Sequence, residues 1–455
     1  MTRKESDSLS SAMDQLRAIQ NEDLRRIKDK ISSLTRGHRF YDWRKTTDLA
    51  RELSAFLADI RADIEDPTTG LTLVEAFYKT DEAVISQCDD SYGNIGDVYS
   101  MDARELFEHY GSQSEDKKRV SEIIFELSLR DPYSVRDTLI KSAGKVLDEP
   151  QLRALIARYI AYGAEATEET NQRTAKFAVI SLAKQVGDPV LFEKTTLQNI
   201  EKPWPALWID IARQYLAAGD AETAYERVMR ISEKDIFTED KRTTLLLDIY
   251  RQLGWEEKRL DLLQQKFQEN RSDTALKAIL EIVGEDRRDE MVGAAVAEIQ
   301  RSDKFSHEDL RFLLDCGREH EAEEYLIIHV DNVDGDYYSY WVPVAEALVL
   351  SGRTMGAILV YRALLLSILE KAYYKAYPHA AKYLRKLDRL ARVVGERVEG
   401  ETGGEGSEAG ARGVIGESAE AGAAKGIENH QSFMERLVRL HGKKKSFWRM
   451  YEEGK

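Results

Sequence analysis

The sequence predicts an all-α fold, a right-handed α-solenoid of antiparallel helix pairs that is tetratricopeptide-like and irregular. Proline is scarce, with 8 residues in 455, which favours helix because proline interrupts it. A helix-ending glycine recurs from Gly187 to Gly352 with a period of about 34 residues, the spacing of paired-helix repeats. The alternation of strands and helices that is typical of common enzyme folds does not occur in the pattern.

The repeat is clearest in residues 204–229, where apolar side chains recur at helical spacing on both sides of Gly219-Asp220. This pattern predicts a helix, a tight turn and a second helix. Glycine accepts the left-handed conformation that ends a helix, and an aspartate can cap the next one. Five more apolar runs end in the same way, at Gly187, Gly254, Gly284, Gly317 and Gly352. Since a single helix pair cannot bury its apolar face alone, the pairs are expected to stack.

The other elements are predicted along the chain from the same patterns. In the N-terminal third, helices are expected over 8–34, 44–65, 71–88, 97–110, 116–129, 132–146 and 149–163. Pro67 and Gly70 are expected to end the second of these, and Asp131-Pro132 and Glu149-Pro150 to start the last two. Further on, a helix over 355–374 must break at Pro378, and another follows over 378–397. A final short helix is expected to fold back and cover Phe433, Leu437, Leu440 and Phe447.

These elements group into five segments. They are an N-terminal helical region (1–165), tetratricopeptide-like repeats (166–353), long C-terminal helices (354–397), a disordered Gly/Glu/Ala loop (398–427) and a C-terminal helix that docks on the solenoid (428–455). The loop is predicted to be disordered because its composition cannot repay the entropy cost of ordering.

Composition indicates a soluble, cytoplasmic protein. Two isolated cysteines, Cys88 and Cys316, cannot form a disulfide framework. The N-terminus has no apolar core of the kind that a secretory signal needs. The most apolar stretch, residues 354–369, contains Arg362 and falls short of the ~20 residues of a membrane span, so it is predicted to be a buried helix. No membrane partner is expected.

The charge is uneven along the chain. The net charge is −15, yet residues 371–397 hold 8 basic and 2 acidic side chains, and residues 428–455 hold 7 basic and 4 acidic ones. The acidic remainder would repel nucleic acid and favour a protein partner with basic patches, whereas the C-terminal region could attract an anionic partner.

Two C-terminal clusters are therefore candidate partner-binding surfaces. The first contains Tyr374, Tyr377, His379, Lys382 and Arg385, and the second contains Lys443, Lys444, Lys445 and Trp448. Basic residues can follow phosphates, and aromatic rings can stack on unpaired bases. In the alternative interpretation the aromatic rings pack between helices and the lysines form a solvated face, with those of the second cluster at a helix C-terminus.

No motif predicts catalysis or a cofactor. The sequence has no Gly-rich phosphate loop, no Gly-x-Ser-x-Gly turn and no His-Glu-x-x-His helix. The loop with Asp89, Asp90 and Asp97 resembles a cation loop superficially, but its spacing lacks the alternating oxygen ligands that calcium requires. A capped loop is the favoured interpretation, with a metal or phosphate site as the alternative.

The runs YRALLLSILEKAYYKAYPHAAKYLRKL (361–387) and HQSFMERLVRLHGKKKSFWRM (430–450) resemble the C-terminal end of an uncharacterised bacterial family of helical-repeat proteins. Some members of that family carry SWIM-type zinc fingers. A SWIM finger needs paired cysteines and a histidine, and the two isolated cysteines of this chain cannot supply that set. The resemblance implies a helical-repeat fold and brings no known activity.

The leading hypothesis is a non-enzymatic scaffold or adaptor that binds protein through a helical-repeat surface. The alternative is a nucleic-acid-binding protein that uses the basic C-terminal helices, and the third is an enzyme of unrecognised type.

Overall fold

The structure is a computed structural model that describes residues 22–36, 40–232, 235–401 and 428–454, with backbone alone for 394–401. The described residues form helices and turns, apart from one isolated parallel bridge between Tyr41 and Cys88. The predicted all-α class is therefore confirmed. The chain divides into two compact units between Leu253 and Gly254, within the predicted repeat segment 166–353, and the five predicted segments stay predictions.

Unit 1 consists of fourteen described helices. They are α1 (22–34), α2 (Trp43–Asp63), α3 (Pro67–Tyr78), α4 (Asp81–Ile85), α5 (Asn94–Asp97), α6 (Ala103–Gln113), α7 (Lys117–Ser128), α8 (Asp137–Lys141), α9 (Glu149–Glu165), α10 (Glu169–Gln185), α11 (Pro189–Leu197), α12 (Pro205–Ala217), α13 (Ala221–Val228) and α14 (Glu239–Leu253).

Unit 2 contains the helices that follow. They are α15 (Glu256–Glu269), α16 (Asp273–Val283), α17 (Arg288–Arg301), α18 (His307–Asp315), α19 (Glu319–Ile328), α20 (Tyr338–Leu350), α21 (Thr354–Glu370), α22 (Tyr377–Glu401), α23 (His430–His441) and α24 (Lys445–Glu452). None of the described helices is long and apolar enough to cross a membrane.

The recurring glycines that predicted helix ends do follow the ends of helices. The six marker glycines all have positive φ, between +63° and +101° (Gly187, Gly219, Gly254, Gly284, Gly317 and Gly352). At the clearest repeat, α12 ends at Ala217, Gly219 has φ +85°, and the Asp220 carboxylate accepts the Thr223 N–H to cap α13. The predicted helix, turn and helix at residues 204–229 are confirmed.

Four tyrosines of unit 1 are 0% exposed, and their hydroxyl groups all have partners, as burial of a polar group requires. Tyr78 donates to the Tyr99 carbonyl, Tyr99 and Thr80 share a 2.7 Å hydrogen bond, and Tyr159 and Ser128 share one of 2.6 Å. The Tyr110 hydroxyl donates to the Ile60 carbonyl within α2 and to the Ile64 carbonyl just after its end, and burial raises the pKa of Tyr110 to about 12.

The predictions were wrong at two places in the N-terminal third, around Gly70 and around Asp131. Gly70 lies inside α3 and does not end a helix. A glycine is needed there because a Cβ at this position would lie only 2.5 Å from the Tyr110 ring. The predicted helix 71–88 is two helices, α3 and α4.

Asp131-Pro132 does not begin a helix either. The Asp131 carboxylate accepts the N–H groups of Val135, Arg136 and Asp137 instead, each at 2.9 Å. These bonds hold a turn, and the helix predicted for 132–146 shrinks to α8 and a short 3₁₀ turn at Ala143–Lys145. The Asp148 carboxylate caps α9, with Pro150 in its first turn, close to the prediction.

The C-terminal end of unit 2 is organised around α21, which is buried along most of its length, as predicted for residues 354–369. α21 ends at Glu370, and α22 begins at Tyr377, so Pro378 lies in the first turn of α22. Where one final helix was predicted, α23 and α24 both pack on α22. Phe433, Leu437 and Phe447 are buried, but Leu440 is 59% exposed, which corrects that part of the prediction.

The loop predicted over 398–427 lies outside the described residues except for 398–401, which are helical and extend α22 beyond its predicted end at 397. The N-terminal part of the helix predicted for 8–34 also lies outside them.

Candidate interaction surface

Packing of α24 on α22 brings together the two basic clusters that are about sixty residues apart in sequence. The Tyr377 ring of α22 lies edge-on to the Phe447 ring of α24, with 6.0 Å between ring centres, and Tyr374 lies edge-on to Tyr377 at 6.5 Å. Phe447 also contacts Trp448 at 5.0 Å. We call the exposed side chains around this contact the Tyr/Lys surface (Tyr373, Tyr374, Lys375, His379, Lys382, Lys443 and Lys445).

Some of the candidate residues point inward and serve the fold. Tyr377 is 6% exposed. Arg385 donates to the carbonyls of Met450 and Tyr451 at 2.9 and 3.3 Å, so it satisfies the C-terminal end of α24. The half-buried Trp448 donates its indole N–H to the His441 carbonyl. These three residues therefore hold the C-terminal helices together, as the alternative interpretation of the aromatic cluster expects.

The remaining candidates face outward. Tyr374 is 64% exposed, and His379, Lys382, Lys443 and Lys445 are exposed as well. The neighbouring Tyr373 is 59% exposed. Tyrosine is enriched at the centres of protein interfaces, because it adds a large apolar area and a polar hydroxyl at little cost in side-chain entropy.

The three lysines lie where the chain turns between two helices. Lys443 follows the end of α23, Lys444 is the half-buried N-cap of α24, and Lys445 is the first residue of α24. A positive charge stabilises the C-terminus of α23, where the helix dipole is negative. The same charge is unfavourable at the N-terminus of α24, where the dipole is positive. Three ammonium groups beside the positive end of a helix dipole thus create a positive potential that would attract an anionic group.

The C-terminal segment is held in place by polar anchors on α21 and α22. Arg362 donates to the Glu428 carbonyl at 2.8 Å and lies 4.6 Å from the centre of the Phe433 ring. Burial lowers the pKa of its guanidinium to about 10. The Asp388 carboxylate pairs with His430 at 3.0 Å and accepts the Tyr451 hydroxyl at 2.6 Å. The Tyr/Lys surface therefore rests on a fixed scaffold.

The acidic loop of unit 1 uses its carboxylates internally. Asp90 accepts the N–H groups of Ile95 and Gly96, both at 2.9 Å, which caps the start of α5, and Asp89 accepts the Ser91 N–H. Asp97 ends α5. In the described part of the chain no group of three or more His, Cys, Asp or Glu side chains is arranged to hold a metal ion.

The two thiols are poor nucleophiles. Cys88 and Cys316 are both half-buried, and burial raises the pKa of each thiol above its usual value of 9.0. Because the thiolate is the reactive form, neither position has the features of a catalytic cysteine.

Comparison with known proteins identifies a family, but the function of that family is unknown. The model of DUF6880, a family of unknown function, matches residues 18–399. The match covers α22 as far as residue 399 and ends before α23 and α24. No curated protein matches the chain.

Proposed function

Since the chain belongs to DUF6880, a family of unknown function, we propose from its own surfaces that it is a non-enzymatic scaffold or adaptor that acts in the cytoplasm. In this proposal the helix pairs within each unit stack as in a right-handed, irregular, tetratricopeptide-like α-solenoid. The positive φ of all six marker glycines supports the repeat, and so does the likeness of residues 361–387 and 430–450 to bacterial helical-repeat proteins.

The observation that carries the proposal is the Tyr/Lys surface. It presents two adjacent tyrosines, each more than half exposed, beside lysines that form no ion pair with any described residue, on a chain of net charge −15. Exposed aromatic side chains lose contact with water when a partner covers them, and this is a main source of interface affinity. The lysines select a partner with an acidic segment, whereas a partner with basic patches would meet the acidic remainder of the chain.

The proposal is tested by capture on the immobilised full-length chain from native lysate, with and without nuclease, followed by mass spectrometry. A specific protein that survives nuclease is expected. Combining Tyr373→Ser with Tyr374→Ser should reduce its capture at least tenfold, since loss of ~1.4 kcal/mol suffices for that factor. The matched control is Tyr92→Ser, because Tyr92 is 73% exposed in the acidic loop of unit 1. Equal capture by both variants would contradict the proposal.

A second candidate function is binding of single-stranded nucleic acid by the same surface. It is favoured by the Tyr377–Phe447 contact, which joins the segment with the lysines to the segment with the exposed tyrosines. Tyrosine rings can stack on bases, and lysines can pair with the phosphates between them. Fluorescence anisotropy with a labelled oligonucleotide should then show affinity that falls steeply with salt.

Charge reversal at Lys382 and Lys443 should lower that salt dependence by about two counterions, whereas reversal at the exposed Lys118 and Lys241 of unit 1 should not change it. Flat anisotropy at low salt would exclude nucleic-acid binding.

A further inference from the structure

An open groove of about 900 Å³ lies in unit 1 between α9, α10 and α11. None of its lining residues belongs to the Tyr/Lys surface or to the candidate sites predicted from the sequence. Its walls are the C-terminal half of α9, the N-terminal half of α10, and α11 with the loop 198–200 that follows it.

Small residues keep the groove open. Where α9 and α10 meet, the lining consists of Gly163, Ala164 and Ala175. The two helices approach so closely there that a Cβ on Gly163 would lie 2.9 Å from that of Ala175. No long side chain projects from this junction, which leaves the volume between α9 and α11 unfilled.

The groove has apolar side chains that water reaches. Ile160 is 49% exposed, and Leu191, Leu197 and Ile200 are half-buried. Covering such side chains with a partner is favourable, by roughly 25 cal/mol for each Å² of apolar surface removed from water. The groove therefore presents apolar surface from α9, from α11 and from the loop that follows α11.

The rim of the groove is positively charged, although the chain as a whole is acidic. Of its four charged lining residues, Arg173 pairs with Glu169, while Lys176 and Lys194 form no ion pair with any residue that the structure describes. The Lys176 ammonium donates to the Gln198 carbonyl at 2.7 Å. Lys194 is exposed, and within the described residues no carboxylate lies within ion-pair distance of it. The lining thus has a net charge of +2 on a chain of −15.

From this complementarity we infer that the groove binds an acidic, amphipathic peptide segment of a partner protein. Apolar side chains of the segment contact Ile160, Leu191 and Leu197, and its carboxylates pair with Lys176 and Lys194. Helical segments place such side chains on one face at a spacing of three and four residues, which suits a groove between helices. The inference deepens the proposed scaffold function and rests on it.

The test uses an array of 14-residue synthetic peptides in which the spacing of leucines and the number of glutamates vary, with a second array that has lysine in place of glutamate. The full-length chain should bind the best glutamate peptides at least tenfold more tightly than their lysine counterparts, as measured by fluorescence polarisation. Combining Lys176→Glu with Lys194→Glu should abolish that preference.

A steric variant separates binding in the groove from binding elsewhere. Ala164→Trp fills the groove from an exposed position and should weaken the best peptide at least tenfold. Ala154→Trp adds the same side chain at an exposed position of α9 outside the groove and should leave affinity unchanged. Circular dichroism of each variant checks that the fold is intact.

Absence of any preference for the acidic array, or equal affinity of the Ala164→Trp and Ala154→Trp variants, overturns the inference. Neither result affects capture of a nuclease-resistant protein through Tyr373 and Tyr374, so failure of the groove and failure of the proposed function are distinguishable.

Discussion

The ion pair between Asp81 and Arg136 is buried in unit 1, and removal of its carboxylate is expected to destabilise that unit strongly. Arg136 donates from Nε and Nη2 to the two carboxylate oxygens at 2.7 and 2.6 Å. Its Nη2 also donates to the Tyr78 carbonyl at 3.0 Å. The two side chains are 0% and 8% exposed, so water screens the pair very little.

Asp81→Ala leaves a buried guanidinium whose only remaining partner among the described residues is one carbonyl. Breaking a buried pair in this way costs about 3–5 kcal/mol. The control is Asp48→Ala, which removes an ion pair of equal length, 2.6 Å to Arg51, whose side chains are 68% and 73% exposed. Exposed pairs contribute about 0–1 kcal/mol, so the difference between the two variants isolates the effect of burial.

Hydrogen exchange measured by mass spectrometry is the appropriate assay, because a chain of two units need not unfold in one transition. Peptides covering α3, α4 and α8 should lose about 3–5 kcal/mol of protection in Asp81→Ala and less than 1 kcal/mol in Asp48→Ala. Replacing both partners, with Asp81→Leu and Arg136→Met, should restore much of the loss. Similar losses in Asp81→Ala and Asp48→Ala would refute this reasoning.

Three further predictions concern single side chains. Gly70→Ala should destabilise unit 1 by about 1–3 kcal/mol in urea unfolding, because Tyr110 is held by two hydrogen bonds and cannot move away from a new methyl group; an unchanged midpoint would contradict this. Burial lowers the pKa of His441 below 6.5, so the neutral form stabilises the fold above that pH and this contribution is lost as the pH falls. His441→Gln should therefore reduce the acid sensitivity of thermal unfolding, and an identical pH profile would count against it. Cys88 and Cys316 should react with iodoacetamide at pH 8 more slowly than glutathione does, because burial raises the pKa of both thiols; labelling of the folded chain as fast as that of the denatured chain would disprove this.

Local patterns in the sequence were sufficient where one residue determines the backbone. Glycine positions predicted the helix ends, and the Asp220 carboxylate does cap α13. They failed where a distant side chain decides. Gly70 looked like a helix end because its contact, Tyr110, is forty residues away. They failed for a local reason at Asp131, which looked like the start of a helix, because its carboxylate accepts the N–H groups of the residues 4, 5 and 6 positions on and forms a turn.

The candidate surface was predicted in composition but not in detail. Charge counting found both basic clusters, and the structure brings them together through the Tyr377–Phe447 contact. The sequence alone could not tell that Tyr377 and Arg385 point inward, because they share a helix with exposed neighbours and differ only in the face they occupy. The groove between α9 and α11 had no sequence signal, since it is lined by small residues and common aliphatic ones.

The role of the Tyr/Lys surface is tested most directly by quantitative capture from nuclease-treated lysate with three baits: the unaltered chain, the Tyr373→Ser and Tyr374→Ser double variant, and Tyr92→Ser. The account predicts one specific protein on the unaltered bait and on Tyr92→Ser, reduced at least tenfold on the double variant. Retention of that protein by the double variant, or absence of any specific protein from all three baits, would contradict a scaffold that binds through this surface.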